Sequence, residues 1–293
     1  MKKSLLLTLI IILLLSACSG KPAEPTDTPT PEATETPTPE PTPTMPPSAA
    51  VVNGLYVTLE DLDAKVAQLR DAYNQLDGNA PDDGALREEA LNDLIEETLF
   101  LSAAKAAGIA PTNEDLNART DALCGSLGGC DKLREWESRN HYNEDSFRRA
   151  LEREIAVSAM REVIFAGLKD QEQLHVYRIE SYRRSDLDDV NSRLGMGISF
   201  TEMAKNYDSV TGGDMNWFPR GVLFSQELED KIFALNPGEH TEIIEINGNY
   251  DMFYVAEKQT GRPMDMQVEQ IAQRKALSDW LEAQKQSADI EIL

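Results

Sequence analysis

Cysteine and histidine are both scarce in this chain of 293 residues, with three of each. So few soft or imidazole ligands leave no cluster from which a tetrahedral metal site could be built, and neither metal nor cofactor is expected. Aromatic residues make up only 6%, which predicts a mainly aliphatic core. Cations are outnumbered, 28 Lys+Arg against 51 Asp+Glu, for a formal net charge of −23. Phosphate backbones need clustered cations, so nucleic acid is excluded as a partner class. The acidity instead keeps an exposed protein soluble and repels other anions. The length suffices for two modest domains with a sizeable core.

What is present begins with an address. Lys2 and Lys3 precede an apolar run from Leu5 to Leu15, too short to span a bilayer comfortably. Leu15-Ser16-Ala17-Cys18 then resembles the bacterial lipobox. The resemblance implies removal of residues 1–17, a diacylglycerol on Cys18, and an extracytoplasmic protein held to the cell membrane by two or three acyl chains. Losing Lys2 and Lys3 would take the mature chain from −23 to −25. An uncleaved signal anchor is the alternative. Residues 18–48 follow as the lipidated Cys and a Pro/Thr/Glu spacer, whose ring-locked backbone and low apolar content exclude helix and sheet. At ~3.1 Å per residue such a spacer reaches up to about 90 Å.

From Ala50 the composition changes to that of a folded domain, taken as 49–170. Asn53-Gly54 predicts a hairpin, and Thr58 an N-cap for a helix to about Leu76. Leu86, Ala90, Leu91, Leu94, Ile95, Thr98, Leu99 and Leu101 recur at helical spacing between Asp83 and Ala107. Further helices are predicted from Thr112 towards Cys124 and from Asn143 to Gly167. Cys124 and Cys130 flank Gly-Ser-Leu-Gly-Gly, and outside the cytoplasm such a pair is either a disulfide clipping a turn or two free thiols. The Asn-Gly turn, the helix, and the run Ala90-Leu-Asn-Asp-Leu-Ile-Glu-Glu-Thr-Leu-Phe-Leu-Ser-Ala-Ala-Lys-Ala-Ala-Gly-Ile109 are similar to the N-terminal helical domain of SurA-like and PrsA-like foldases.

Residues 171–262 have a different texture. Strands are predicted at Glu172–Ser181, Thr241–Ile246 and Tyr250–Glu257, the last two joined by a type I′ turn at Asn247-Gly248. Helices are predicted at Asp186–Leu194, Ser199–Tyr207 and Ser225–Leu235. Gly212-Gly213-Asp214-Met215-Asn216-Trp217-Phe218-Pro219-Arg220-Gly221, followed by Leu228-Glu229-Asp230-Lys231-Ile232-Phe233-Ala234-Leu235-Asn236-Pro237-Gly238-Glu239, resembles the signature of the parvulin-type peptidyl-prolyl isomerase domain. The expected fold class is therefore α+β: a helical SurA-N-like domain plus a parvulin-like domain, a small antiparallel sheet flanked by helices. A C-terminal segment, 263–293, carries a helix over Met266–Ser287 with Val268, Ile271, Ala272, Leu277, Trp280 and Leu281 on its apolar side. In the resembling family that helix packs back on the helical domain.

The resemblance also assigns a site. Prolyl isomerisation breaks no bond, so it needs no nucleophile or metal, only an apolar cup, desolvation and donors suited to a twisted amide. Leu223 or Phe224 falls where the family has its cup Met, and Leu228 where it has its Phe. Phe218 and Phe233 remain as aromatics, and Trp217 and Phe218 of the signature turn are counted with the substrate contacts. The family's two His are absent; Arg178 and Asp251 occupy their positions, and its Cys/Asp position falls near Ser209 or Val210. Arg178 and Asp251 are expected to face each other as a salt bridge, against the alternative of two unrelated surface charges. His175 is expected on the opposite sheet face, and His141 and His240 in polar turns. Asp186, Asp188 and Asp189 fit a helix start rather than a Ca²⁺ loop.

The implied function is a membrane-anchored folding factor for secreted proteins, with unfolded or proline-containing polypeptides as partners. The alternative is a catalytically degenerate parvulin acting only as a client-binding chaperone. A surface scaffold or solute-binding lipoprotein is a third class, without the two α/β lobes such proteins use.

Overall fold

The computed structural model describes residues 45–293 except 77. The leader, Cys18 and nearly all of the spacer lie outside the described residues.

The chain enters through a hairpin, β1 (Ser48–Val52) and β2 (Leu55–Thr58), whose turn residues Asn53 and Gly54 both have positive φ, as a type I′ turn requires. The Thr58 hydroxyl accepts the Asp61 amide and starts α1 (Leu59–Leu76). Asp82 caps α2 (Asp83–Ala106), and a reciprocal Thr112/Asp115 capping box opens α3 (Asn113–Leu127). A short α4 (Cys130–Arg139), absent from the sequence expectation, follows two glycines, and α5 (Glu144–Ala166) completes the helical body. Cys124 and Cys130 are joined by a disulfide, with Cys124 buried among Leu116, Leu133, Phe147 and Leu151.

Charge as well as apolar packing holds these helices together. Asp61 is buried in α1 and accepts from Arg149 and Arg153 of α5, while Arg153 also reaches Glu97 of α2 at 3.1 Å. Lys65 returns from α1 to the same Glu97. A buried carboxylate shared by two guanidinium groups satisfies the condition on which buried charge is tolerated.

The second part is a four-stranded antiparallel sheet. Its strands are β3 (Glu172–Ser181), β4 (Asp214–Pro219), β5 (Ile244–Ile246) and β6 (Asn249–Thr260), in the order β4-β3-β6-β5. One face packs Leu174, Val176, Phe253 and Val255 against Phe218 and against Leu228, Ile232 and Phe233 of α8 (Gln226–Phe233). The other packs Ile179 and Met252 against α6 (Arg184–Gly195) and α7 (Phe200–Tyr207). The strand predicted from Thr241 begins only at Ile244. Before that, Thr241 is fixed to β6 by its amide on Phe253 O and by its hydroxyl, which accepts the Phe253 amide.

The last helix, α9 (Met266–Ser287), bridges both parts. Val268 packs on the α8 side of the sheet, whereas Leu277, Trp280 and Leu281 pack on Phe100, Ala104 and Met160 of the helical body. Ile271, placed on the apolar side from its spacing, is exposed. A final strand, β7 (Ile290–Ile292), not foreseen in the sequence, pairs with β1 to complete a sheet of order β2-β1-β7. The α+β class and the return of the C-terminal helix to the helical body are both borne out. Among the described residues no helix is long and apolar enough to cross a membrane.

Trp280 stacks on Phe100 with ring centroids 4.4 Å apart. Trp280→Ala is expected to lower stability by about 2–4 kcal/mol, slightly under the ~3–5 kcal/mol for deleting a fully buried aromatic because Trp280 is half-buried. Urea denaturation followed by far-UV circular dichroism checks this, and a loss under about 0.5 kcal/mol, the scale of an ordinary surface substitution, contradicts it.

Candidate functional site

The signature turn is fixed by backbone geometry. Gly212 and Gly213 both have positive φ, and a Cβ on Gly213 would lie 2.3 Å from the Arg178 carbonyl oxygen and 2.9 Å from Ala204 Cβ. No other residue fits there, because the loop runs directly against β3. The close approach is also a hydrogen bond, with the Arg178 amide donating to Gly213 O at 2.8 Å. The glycine pair thus sets the position of Arg178.

Alternation places Leu174, Val176 and Arg178 of β3, and Asp251, Phe253 and Val255 of β6, on the α8 face. Arg178 is opposite Phe253 and Glu180 opposite Asp251, so the guanidinium reaches Asp251 diagonally. Arg178 Nε donates to Asp251 Oδ1 at 2.5 Å, and Nη2 meets Glu180 Oε2 at 2.7 Å. The Arg178 side chain is 36% exposed and that of Asp251 0%. Two unrelated surface charges therefore do not describe the pair. Asp251 Oδ2 has no hydrogen-bond partner among the described residues. Burial pushes the Asp251 carboxyl above the usual range, Arg178 opposes this, and nearby Glu180 adds to it.

The apolar residues assigned to the cup are dispersed. Leu228 is only 5% exposed and belongs to the core, as does Phe218, which meets Phe233 edge-on. Phe224 is 75% exposed and lines, with Leu228, Ile244, Ile246 and Lys231, a depression of about 310 Å³. Leu223 is half-buried and faces a groove of about 610 Å³ against α9. Arg178 lines a third cavity, about 530 Å³, with Glu180, Tyr182, Tyr207, Asp208 and Met215.

Trp217 does not belong with them. It lies on the opposite sheet face, stacked on His175 at 5.4 Å and covered by the Arg262 guanidinium at 4.5 Å. His175, whose opposite-face position alternation predicts, sits beside a β-bulge and bonds Asp214 Oδ1 at 2.9 Å. Burial, with Asp214 adding to it, raises the neighbouring Tyr177 hydroxyl above its ordinary value. Position 210 of the supposed Cys/Asp site is an exposed turn residue. The carboxylate of that turn is Asp208, which accepts the Thr211 hydroxyl and the amides of Val210 and Thr211, holding it below the usual range. Its Asp-x-x-Thr turn spacing was the available signal for it. Among the described residues no group of His, Cys, Asp and Glu could hold a metal.

Asp251 holds its proton more tightly folded than unfolded, so its contribution to stability is present below the unfolded carboxylate value and lost as pH rises through the folded one. Measured against Asp251→Asn, the unsubstituted chain is expected to lose relative stability as pH rises from about 4, until the raised folded value is passed. Urea titrations at several pH values test this. A constant difference across the range contradicts it.

Residues 32–161 match the family model for a SurA-like N-terminal domain, and residues 168–271 match that for a PPIC-type PPIase domain. A protein named Chaperone SurA from Pseudomonas putida is 23% identical over 248 residues, covering 72% of this chain and 58% of the relative. Another Chaperone SurA, from Hahella chejuensis, is also 23% identical, covering 80% of this chain and 63% of the relative. The chain thus spans about three-fifths of the length of these curated relatives. A Foldase protein PrsA from a Geobacillus strain is 26% identical over 89 residues, 29% of this chain and 32% of the relative. Among solved structures, a peptidylprolyl isomerase (PrsA) from Bacillus cereus aligns at 17% identity with a TM-score of 0.43, covering 81% of this chain and 84% of that one. The chain therefore joins a SurA-like N-terminal domain to a PPIC-type peptidyl-prolyl isomerase domain.

Proposed function

We propose that the protein is an extracytoplasmic folding factor, held to the membrane by lipid on Cys18, that binds unfolded, proline-containing polypeptides and isomerises X-Pro bonds through its PPIC-type domain. The observation that carries this reading is the succession of the SurA-like and PPIC-type domains along one chain. The lipobox at Leu15-Ser16-Ala17-Cys18 supports the location, and so does the Cys124–Cys130 disulfide, which persists in an oxidising compartment.

The amide barrier is about 18–20 kcal/mol, and lowering it requires only that the twisted bond be favoured over the planar one. Phe224 and Ile244 offer apolar contact to a proline ring. The one-third-exposed Arg178 guanidinium can donate to a carbonyl rotating out of conjugation, with Asp251 and Glu180 fixing its direction.

A second reading, a client-binding chaperone without turnover, is favoured by Arg178 and Asp251 standing where the family has imidazoles. One pair of assays decides between them, following cis-to-trans conversion of a proline peptide and aggregation of an unfolded client. The isomerase reading predicts conversion faster than the uncatalysed ~10–100 s, and at least about tenfold slower catalysis in Arg178→Ala, with aggregation suppression unchanged. Suppression without acceleration leaves the chaperone reading; the absence of both overturns each.

A further inference from the structure

The segment between β4 and α8, residues 220–225, carries both Leu223 and Phe224, and it is tied to α8 at three places. Arg220 pairs with Asp230 at 2.5 Å, and its guanidinium lies 4.6 Å over the Phe233 ring. Ser225 Oγ accepts the Leu228 amide at 3.3 Å. Between these, Glu229 turns back beneath the loop. Its Oε1 accepts the amides of Gly221 at 2.9 Å and Leu223 at 2.8 Å, and its Oε2 accepts Gly221 again at 2.9 Å.

Glu229 is only 4% exposed, and among the described residues no ion pair involves it. A carboxylate withdrawn from water in this way is tolerated when charge-assisted hydrogen bonds replace its hydration. Those bonds come entirely from the loop backbone. The loop is pressed from its other side as well: Gly221 has φ +89, and a Cβ there would lie 2.9 Å from Lys275 Cγ of α9. Glu229 and α9 thus clamp the loop between them. Leu223 is thereby turned towards the core that contains Leu228, and Phe224 stands out at the mouth of the depression lined by Leu228, Ile244 and Ile246.

We propose that Glu229 is a positioning residue for prolyl recognition: its buried carboxylate holds the amides of Gly221 and Leu223 so that Leu223 anchors the loop on the core and Phe224 is presented to a proline-containing segment. This rests on the reading that the PPIC-type domain binds such segments. The bond pattern makes a distinctive demand on substitutions. Glu229→Gln keeps one acceptor for the two amides but sets an NH2 donor against the Gly221 N–H, where Oε2 now accepts at 2.9 Å, so it weakens the clamp without abolishing it. Glu229→Ala removes it, and so does Glu229→Met, which retains most of the volume.

The test measures binding of a fluorescent Ala-Ala-Phe-Pro-Phe peptide, and of the same peptide with Ala for Pro, to the full chain and these variants. Expected are a loss of at least about tenfold for Glu229→Ala and Glu229→Met, each tenfold being 1.4 kcal/mol, and a smaller loss for Glu229→Gln. The loss should fall on the proline peptide and spare the alanine one. Folded Ala and Met variants that bind the proline peptide normally overturn the inference while leaving the functional reading intact. An unsubstituted chain with no preference for proline overturns the functional reading and the inference with it. If the Ala and Met variants do not fold, amide spectra of the unsubstituted chain decide: shifts at Gly221 and Leu223 on adding the proline peptide are expected, and their absence overturns the proposal.

Discussion

Asp251, a carboxylate without solvent contact, sets the terms for the PPIC-type sheet. It lies on β6 opposite Ile244 of β5 and Glu180 of β3, and its neighbours Met252 and Phe253 feed the two cores on either sheet face. One oxygen is taken by Arg178, and burial would be prohibitive without that partner. Sliding β3 by one residue would turn Arg178 to the other face and leave the carboxylate alone, so the ion pair specifies the register. The Gly213 contact acts on the same residue from the other side, by locking the Arg178 backbone against the incoming loop. Charge and sterics therefore converge on one strand position.

A second constraint is topological. The hairpin at the start of the helical body is completed by β7, and α9 packs on α5 and α2 while reaching the sheet's core through Val268. The PPIC-type domain is thus held at both ends, entering after α5 and leaving through α9. Val268 on one core and Trp280 on the other make α9 a shared wall. Such a double connection keeps the sheet at a fixed place beside the helical body.

Much of the fold was legible in the sequence because its signals are local. Asn53-Gly54, Asn247-Gly248, Thr58 and Thr112 are turn and cap chemistry, and β3 and α9 begin and end at the predicted residues. What escaped depended on distant partners. β7 is three residues long and exists because β1 offers an edge 240 residues away in sequence. The α4 helix follows a disulfide turn whose Gly-rich spacing reads as loop. Ile271 is apolar by periodicity yet exposed, since α9 must satisfy two different partners along its length. Within the site, alternation was enough to bring Arg178 and Asp251 to one face. It also separates Trp217 from Phe218, its neighbour on β4, but it could not tell that Leu228 and Phe218 would be core rather than cup. The twist of a sheet and the path of a loop decide such matters, and neither is written in single-residue spacing.

The central claim is that Arg178 and Asp251, at the positions where the parvulin resemblance implies a pair of imidazoles, act as one unit. A double-mutant cycle of Arg178→Ala, Asp251→Ala and the double variant, measured by urea denaturation at neutral pH, tests it most directly. Coupling of at least about 1.5 kcal/mol is predicted, because removing Arg178 alone strands a buried carboxylate whereas removing both does not. Single effects that add to within about 0.5 kcal/mol would contradict it.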